Sequence, residues 1–188
     1  MCYNFFLGGT MGRIIQVWLL ALILVGITGS ALKAKNDSNS DFKFERNWKE
    51  ALENGKKNGQ PVFIDFYTDW CPPCKKLAST TLKDPKMALY FNRQNYILIK
   101  INPEKDREAE NKFKVYSYPT LVVFDDKGNE VDRILGYRST DALIAELDNI
   151  KKGIGTLKDL LSKYKKKDRD FPLMFKIVDK YIARADYS

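Results

Sequence analysis

Two cysteines three positions apart, Cys71 and Cys74, are the residues of this chain best suited to do chemistry, and Pro72 and Pro73 lie between them. A pair at this spacing, set at the start of a helix, closes a small disulfide ring with little backbone rearrangement. The first thiol then lies near unpaired backbone N–H groups and the positive end of the helix dipole. Both favour thiolate over thiol and lower the pKa of Cys71. Lys75 and Lys76 add positive charge nearby. Cys74, one turn inside, is better placed to resolve a mixed disulfide than to attack first. The proline spacer and the flanking lysines predict that the pair is exposed.

Other chemistries are narrowed by what the chain lacks. It contains no histidine, which removes the usual general base, the commonest metal ligand and every Ser–His or Cys–His catalytic pair. A zinc ion held by Cys71 and Cys74 would need two further ligands that the sequence does not offer in a second pair, although a metal shared between two chains stays open. A purely structural disulfide between such close neighbours closes too short a loop to stabilise much. Redox use of the pair is the strongest reading, with no metal and no bound cofactor beyond the Cys71–Cys74 disulfide itself.

The surroundings suit such chemistry. Residues 14–27 (IIQVWLLALILVGI) follow Arg13 and run into Gly29, Ser30 and Ala31, the pattern of a secretory signal peptide. The run falls short of the roughly 20 apolar residues of a membrane-spanning helix, so an uncleaved anchor is the lesser alternative. Initiation at Met11 would give a more compact signal, and no Leu-x-x-Cys lipidation pattern follows. Export places the remainder, periplasmic or secreted, where disulfide chemistry persists, and signal cleavage would remove Cys2 and leave one pair. The net charge of +8 is scattered among 24 acidic residues. It reads as solvated surface rather than a nucleic-acid site, and membrane contact is expected only through the amino-terminal segment.

The expected organisation is a signal or anchor at 1–31, a polar linker at 32–44, one domain at 45–152 and a helical extension at 153–188. Periodicity predicts an amphipathic helix from Trp48 to a turn at Asn58-Gly59, and a buried strand in PVFIDFY at 61–67. A helix opened by Pro72 and Pro73 is expected to run through Leu77 and Leu82, with another beginning at Asp84-Pro85. YILIKI at 96–101 is a second strand and a polar helix covers 105–113. TLVVF at 120–124 is a third strand, turned at 126–129 into a fourth at 130–135, and a helix over 140–150 closes the set. A βαβ start with a ββα finish implies an α/β fold, a mixed sheet flanked by helices. Beyond Gly153 two short helices follow, and KYKKK at 163–167 between them reads as a solvated helix end.

VFIDFYTDWCPPCK at 62–75, IKIN at 99–102, YPT at 118–120 and the Gly136-Tyr137 turn together resemble the thioredoxin-like family. NWKEAL and DPKM are similar to its secreted branch, which includes the soluble end domain of bacterial transmembrane disulfide reductases. The resemblance implies a thioredoxin fold and a thiol-disulfide oxidoreductase, with Cys71 attacking and Cys74 resolving. It implies that Asp65, an acid inside an apolar strand and paired with Lys100, exchanges the proton of the resolving thiol. Pro119 would be a cis-proline, and Trp70, Tyr118 and Thr120 would contact substrate. Expected partners are protein disulfides and an upstream thiol-disulfide electron donor. The Pro-Pro spacer departs from the Gly-Pro of common cytoplasmic reductases, and no histidine sits between the cysteines as in strongly oxidising relatives. A reductase or reductive relay is the favoured direction. The alternative is a partner-binding module with incidental thiols.

Overall fold

Local residue chemistry sets where each element begins and ends in the structure, a computed structural model that describes residues 44–45, 47–166 and 170–184. The apolar run, with its signal or anchor reading, and Cys2 lie outside the described residues, as does nearly all of the linker. Helix α1 (Trp48–Asn58) starts where the Asn47 carboxamide accepts the N–H groups of Lys49 and Glu50, and stops at Gly59, whose φ of 66° is left-handed. Strand β1 (Val62–Phe66) follows, then helix α2 (Pro72–Ser79) with Cys71 as its N-cap. Helix α3 (Pro85–Gln94) is capped by Asp84, whose second oxygen accepts the Thr140 hydroxyl at 2.6 Å. One carboxylate thus ties two helix starts together.

The helix expected to run from Pro72 through Leu82 is shorter than the apolar spacing suggested. It ends at Ser79, and Thr81–Lys83 form a separate 3₁₀ turn. Two consecutive threonines explain the break. The Thr80 hydroxyl bonds the Lys76 carbonyl at 2.7 Å, while the Thr81 hydroxyl turns away to the Arg138 carbonyl at 2.6 Å.

Strand β2 (Ile97–Ile101), helix α4 (Arg107–Phe113), strands β3 (Thr120–Phe124) and β4 (Glu130–Leu135) and helix α5 (Thr140–Lys151) complete the domain. The sheet order is β2-β1-β3-β4, with β1 parallel to β2 and the other pairs antiparallel. Glu45 adds an isolated parallel bridge to Ile99 outside β2. Alternation along β1 splits the core in two. Val62, Ile64 and Phe66 face α1 and α4, packing with Trp48 and Phe113. Phe63 faces α2, α3 and α5, packing with Leu77, Met87, Phe91 and Leu143. Asp65 shares the Phe63 face by the same period-two rule, so it lies on the side that α2 covers.

Two further helices, α6 (Leu157–Tyr164) and α7 (Phe171–Arg184), pack on each other, and α7 reaches the edge strand β4. The buried Asp132 carboxylate accepts Lys180 at 2.5 Å and Arg184 at 3.1 Å, and Arg133 donates to the Ala183 carbonyl at 3.3 Å. These contacts cover an edge that would otherwise offer free backbone groups.

Gly55 provides a test of the packing between α1 and the sheet. Helix propensity alone predicts that Gly55→Ala gains about 1 kcal/mol. A Cβ there would stand 2.7 Å from Val62 Cγ2 and 2.9 Å from the Gln60 carbonyl oxygen, backbone of a residue whose own N–H donates to the Gly55 carbonyl. We expect a net loss of roughly 1–3 kcal/mol in urea unfolding. A more stable variant would contradict the close approach.

Candidate active site

Strand β1 ends at Phe66, and Tyr67 N–H makes one more bond across to the Ile101 carbonyl at 3.0 Å. The chain then turns through Thr68, whose carbonyl accepts the Cys71 N–H at 3.4 Å, and enters α2. Pro72 and Pro73 occupy the first two helical positions. Neither has an N–H, so the first amide available at this helix start is that of Cys74, and it donates to Cys71 Sγ at 3.2 Å. Cys71 and Cys74 are joined as a disulfide across a Cα–Cα distance of 5.3 Å.

The expected exposure of the pair is corrected here. Cys71 is 2% and Cys74 4% exposed, while Pro72, Pro73 and Lys75 lie outside them. The spacer and the lysines are on the surface, but the sulfurs turn inward because Cys71 caps the helix and Cys74 lies on the buried side of its first turn.

Of the residues singled out from sequence, the structure brings Trp70 to Tyr118 and Asp65 to Lys100. The Trp70 indole is 64% exposed and meets the Tyr118 ring edge-on, centroids 6.1 Å apart. The Tyr118–Pro119 bond is cis, and the Pro119 carbonyl accepts the Gly136 N–H at 2.8 Å. Thr120 is placed differently from a substrate contact. It is buried, and its hydroxyl donates to the Ser117 carbonyl at 2.8 Å. Its side chain holds the loop before β3 instead of facing outward.

Asp65 stands in register with Lys100 on one side and Leu121 on the other. Lys100 Nζ is 3.8 Å from Asp65 Oδ2, an ion-pair distance beyond hydrogen-bond reach. The ammonium also lies 4.4 Å from the centre of the Tyr67 ring. Burial pushes the Asp65 carboxyl up to about 6, with Lys100 pulling the other way. Asp65 Oδ1 and Thr68 Oγ1 are buried without a hydrogen-bond partner.

Several contributors had no role assigned from sequence. The Trp70 indole N–H donates to Glu104 at 2.8 Å, and the Glu104 N–H donates to Asn102 Oδ1 at 3.0 Å. Asn102 in turn donates to Asp69 at 3.3 Å, and Lys105 to Asp69 at 2.8 Å. The loop after β2 therefore grips the two residues that precede Cys71. Only the polar character of 102–106 hinted at this, because the partners are more than 30 positions apart. Lys76, counted merely as positive charge, has its Nζ 4.5 Å from the Tyr137 ring centre.

The thioredoxin-like domain profile matches residues 48–151, more than half of the chain. The chain belongs to the thioredoxin-like family. It is 33% identical over 123 residues to the thiol:disulfide interchange protein DsbD of Haemophilus influenzae strain PittEE, covering 61% of this chain and 21% of that protein. The chain thus spans about a fifth of the length of this relative. Among solved structures, the DsbH oxidoreductase superposes with a TM-score of 0.53 at 18% identity, over 69% of this chain and 98% of its own. A thioredoxin from Thermus thermophilus superposes at 0.52 with 22% identity, over 58% and 88% respectively. These two likenesses speak to the thioredoxin fold.

The raised Asp65 carboxyl has a measurable consequence in the oxidised protein. From its ordinary 3.8 up to about 6 the unfolded chain releases a proton that the folded chain keeps. Stability therefore falls as pH rises through that window, by about 3 kcal/mol in all, and the penalty persists above it. Urea unfolding at pH 4 and pH 7 should show the parent losing most of that amount relative to Asp65→Asn. Parallel behaviour of the two would rule out a destabilised carboxylate.

Proposed function

We propose that this domain transfers electrons between thiols and protein disulfides through Cys71 and Cys74. The observation that carries the reading is the Cys74 amide aimed at Cys71 Sγ from the open end of α2. In the reduced protein the same donor and the helix dipole favour negative charge on that sulfur. The Cys71 thiolate attacks one sulfur of a substrate disulfide, forming a mixed disulfide and releasing the other substrate sulfur as a thiolate. Cys74 then loses its proton and attacks Cys71 Sγ. The second substrate thiol departs, and the Cys71–Cys74 disulfide remains. Two electrons have passed to the substrate, and an upstream dithiol donor restores the reduced pair.

Asp65 takes the proton of Cys74. It lies on the sheet face beneath α2, is almost wholly buried, and titrates near the pH at which such an exchange would run. Lys100 positions and tunes that carboxyl. Substrate reaches the thiols along a surface made by the Trp70 ring, the Tyr118 backbone and the exposed spacer prolines, and Pro119 holds Tyr118 there. Both half-cystines are buried beside the exposed Trp70 ring, so a partner must seat closely against Trp70 to reach them.

The favoured direction is reduction of the partner, acting outside the cytoplasm. The chain has no histidine to place an imidazolium beside the thiolate, which removes one source of oxidising strength. Its resemblance to the secreted branch and the apolar segment at 14–27 support an exported site of action.

Turnover of a disulfide substrate should vanish in Cys71→Ser, whereas Cys74→Ser should accumulate a mixed disulfide visible on non-reducing gels. Titration of the parent against glutathione is expected to give a potential near the roughly −270 mV of thioredoxin rather than about −120 mV. Undiminished turnover in Cys71→Ser would end the assignment, and a potential near the upper value would reverse its direction.

A further inference from the structure

Helix α7 has two faces of different character. Toward the domain it turns the buried Ile177 and Ala183, with Lys180 and Arg184 reaching Asp132. Outward it carries Phe171, Met174, Phe175, Val178 and Ile182, all exposed and spaced as one continuous helical stripe. Phe171 is 63% and Phe175 70% exposed. A contiguous apolar face of this kind on a soluble domain marks an interaction surface.

Charge indicates what covers it. Residues 157–184 hold nine Lys and Arg less four Asp, a net +5 of the chain's +8, with Lys180 and Arg184 of that count paired to Asp132 on the domain side. Lys163, Lys165 and Lys166 are exposed where α6 ends and the chain leads toward Phe171, and Lys176 is exposed next to Phe175. Among the described residues three acids oppose them: Asp159 is paired with Lys163 at 2.7 Å, Asp170 accepts the Leu173 N–H at 3.1 Å, and Asp179 is exposed beside Val178.

We propose that this face of α7 rests on an anionic phospholipid surface, its aromatic side chains at the acyl boundary and the lysines among the headgroups. The stripe is the outward ridge of one helix, a shape that fluid lipid accommodates without a preformed groove. A second copy meeting it face to face would bring two lysine-rich bands together, which like-charge repulsion opposes. No helix among the described residues is long and apolar enough to cross a bilayer, so α7, with 14 residues, lies along the surface instead of through it. This contact is additional to any made by the amino-terminal segment and does not depend on the dithiol chemistry. It would hold the redox domain beside the membrane and orient it there through the β4 edge.

Vesicle flotation of the full chain tests this. The apolar run at 14–27 contributes alike to every variant, so the readout is the difference between variants and between lipids. The parent should partition more strongly onto phosphatidylcholine vesicles holding 30 mol% phosphatidylglycerol than onto phosphatidylcholine alone. The double variant F171S/F175S should lower that partition at least about tenfold. K165Q/K166Q should lower it about fivefold per lysine, on the anionic vesicles only. In a local readout, brominated lipid should quench the added fluorescence of Phe175→Trp. The substituted side chains are exposed, so the domain should stay folded, as circular dichroism can verify. Equal partition of parent and F171S/F175S, or indifference to phosphatidylglycerol, would overturn the proposal. An oligomer in lipid-free sedimentation that F171S/F175S disperses would reassign the face to self-association and overturn it too.

Discussion

The site depends on how few amide donors its helix start retains. An α-helix leaves its first N–H groups unpaired, and at α2 two of them are abolished by Pro72 and Pro73. What remains is concentrated on the Cys74 amide, and that amide meets Cys71 Sγ. The sulfur is thereby the cap of the helix as well as one half of the disulfide. Everything upstream serves to deliver it there. Strand β1 sets the direction, the Thr68 turn reverses the chain, and the Asn102–Asp69 and Glu104–Trp70 bonds fix the approach from the side.

Beneath that helix start the fold accepts a cost. A carboxyl inside a five-residue buried strand is held by one ammonium at ion-pair distance, and its second oxygen has no hydrogen-bond partner. Among the described residues, the other buried side-chain oxygen in this condition belongs to Thr68, in the turn that follows the same strand. Such groups are uncommon in protein interiors, and here both lie on the segment that leads to the cysteines. A core optimised for stability alone would place an apolar residue at Asp65. The proposed proton exchange with Cys74 would supply a reason to keep the acid.

The carboxy-terminal helices answer a different constraint. Strand β4 would be a free edge, and α7 covers it through Asp132, Arg133, Lys180 and Arg184. Burying a carboxylate is tolerable only because two cations share it. The consequence is directional. With its polar side committed to the sheet edge, α7 must present its apolar side outward, so the weld that protects the edge also creates the exposed stripe.

Sequence by itself determined the order of helices and strands, the mixed character of the sheet and the residue types of the reactive pair. Each rests on short-range regularities: period-two and period-3.6 burial, prolines at helix starts, and asparagine or glycine at turns. Tertiary structure decided the rest. Apolar spacing could not reveal that Thr81 would bond Arg138, 57 positions away, and end a helix early. Lysines and prolines around the cysteines suggested exposure, yet whether a sulfur faces water depends on which way the helix cap turns it. The grip of Glu104 on Trp70 and the anchoring of α7 by Asp132 join positions remote in sequence, and no local pattern records them. Spacing along the chain specifies which side chains share a face; only packing specifies what that face meets.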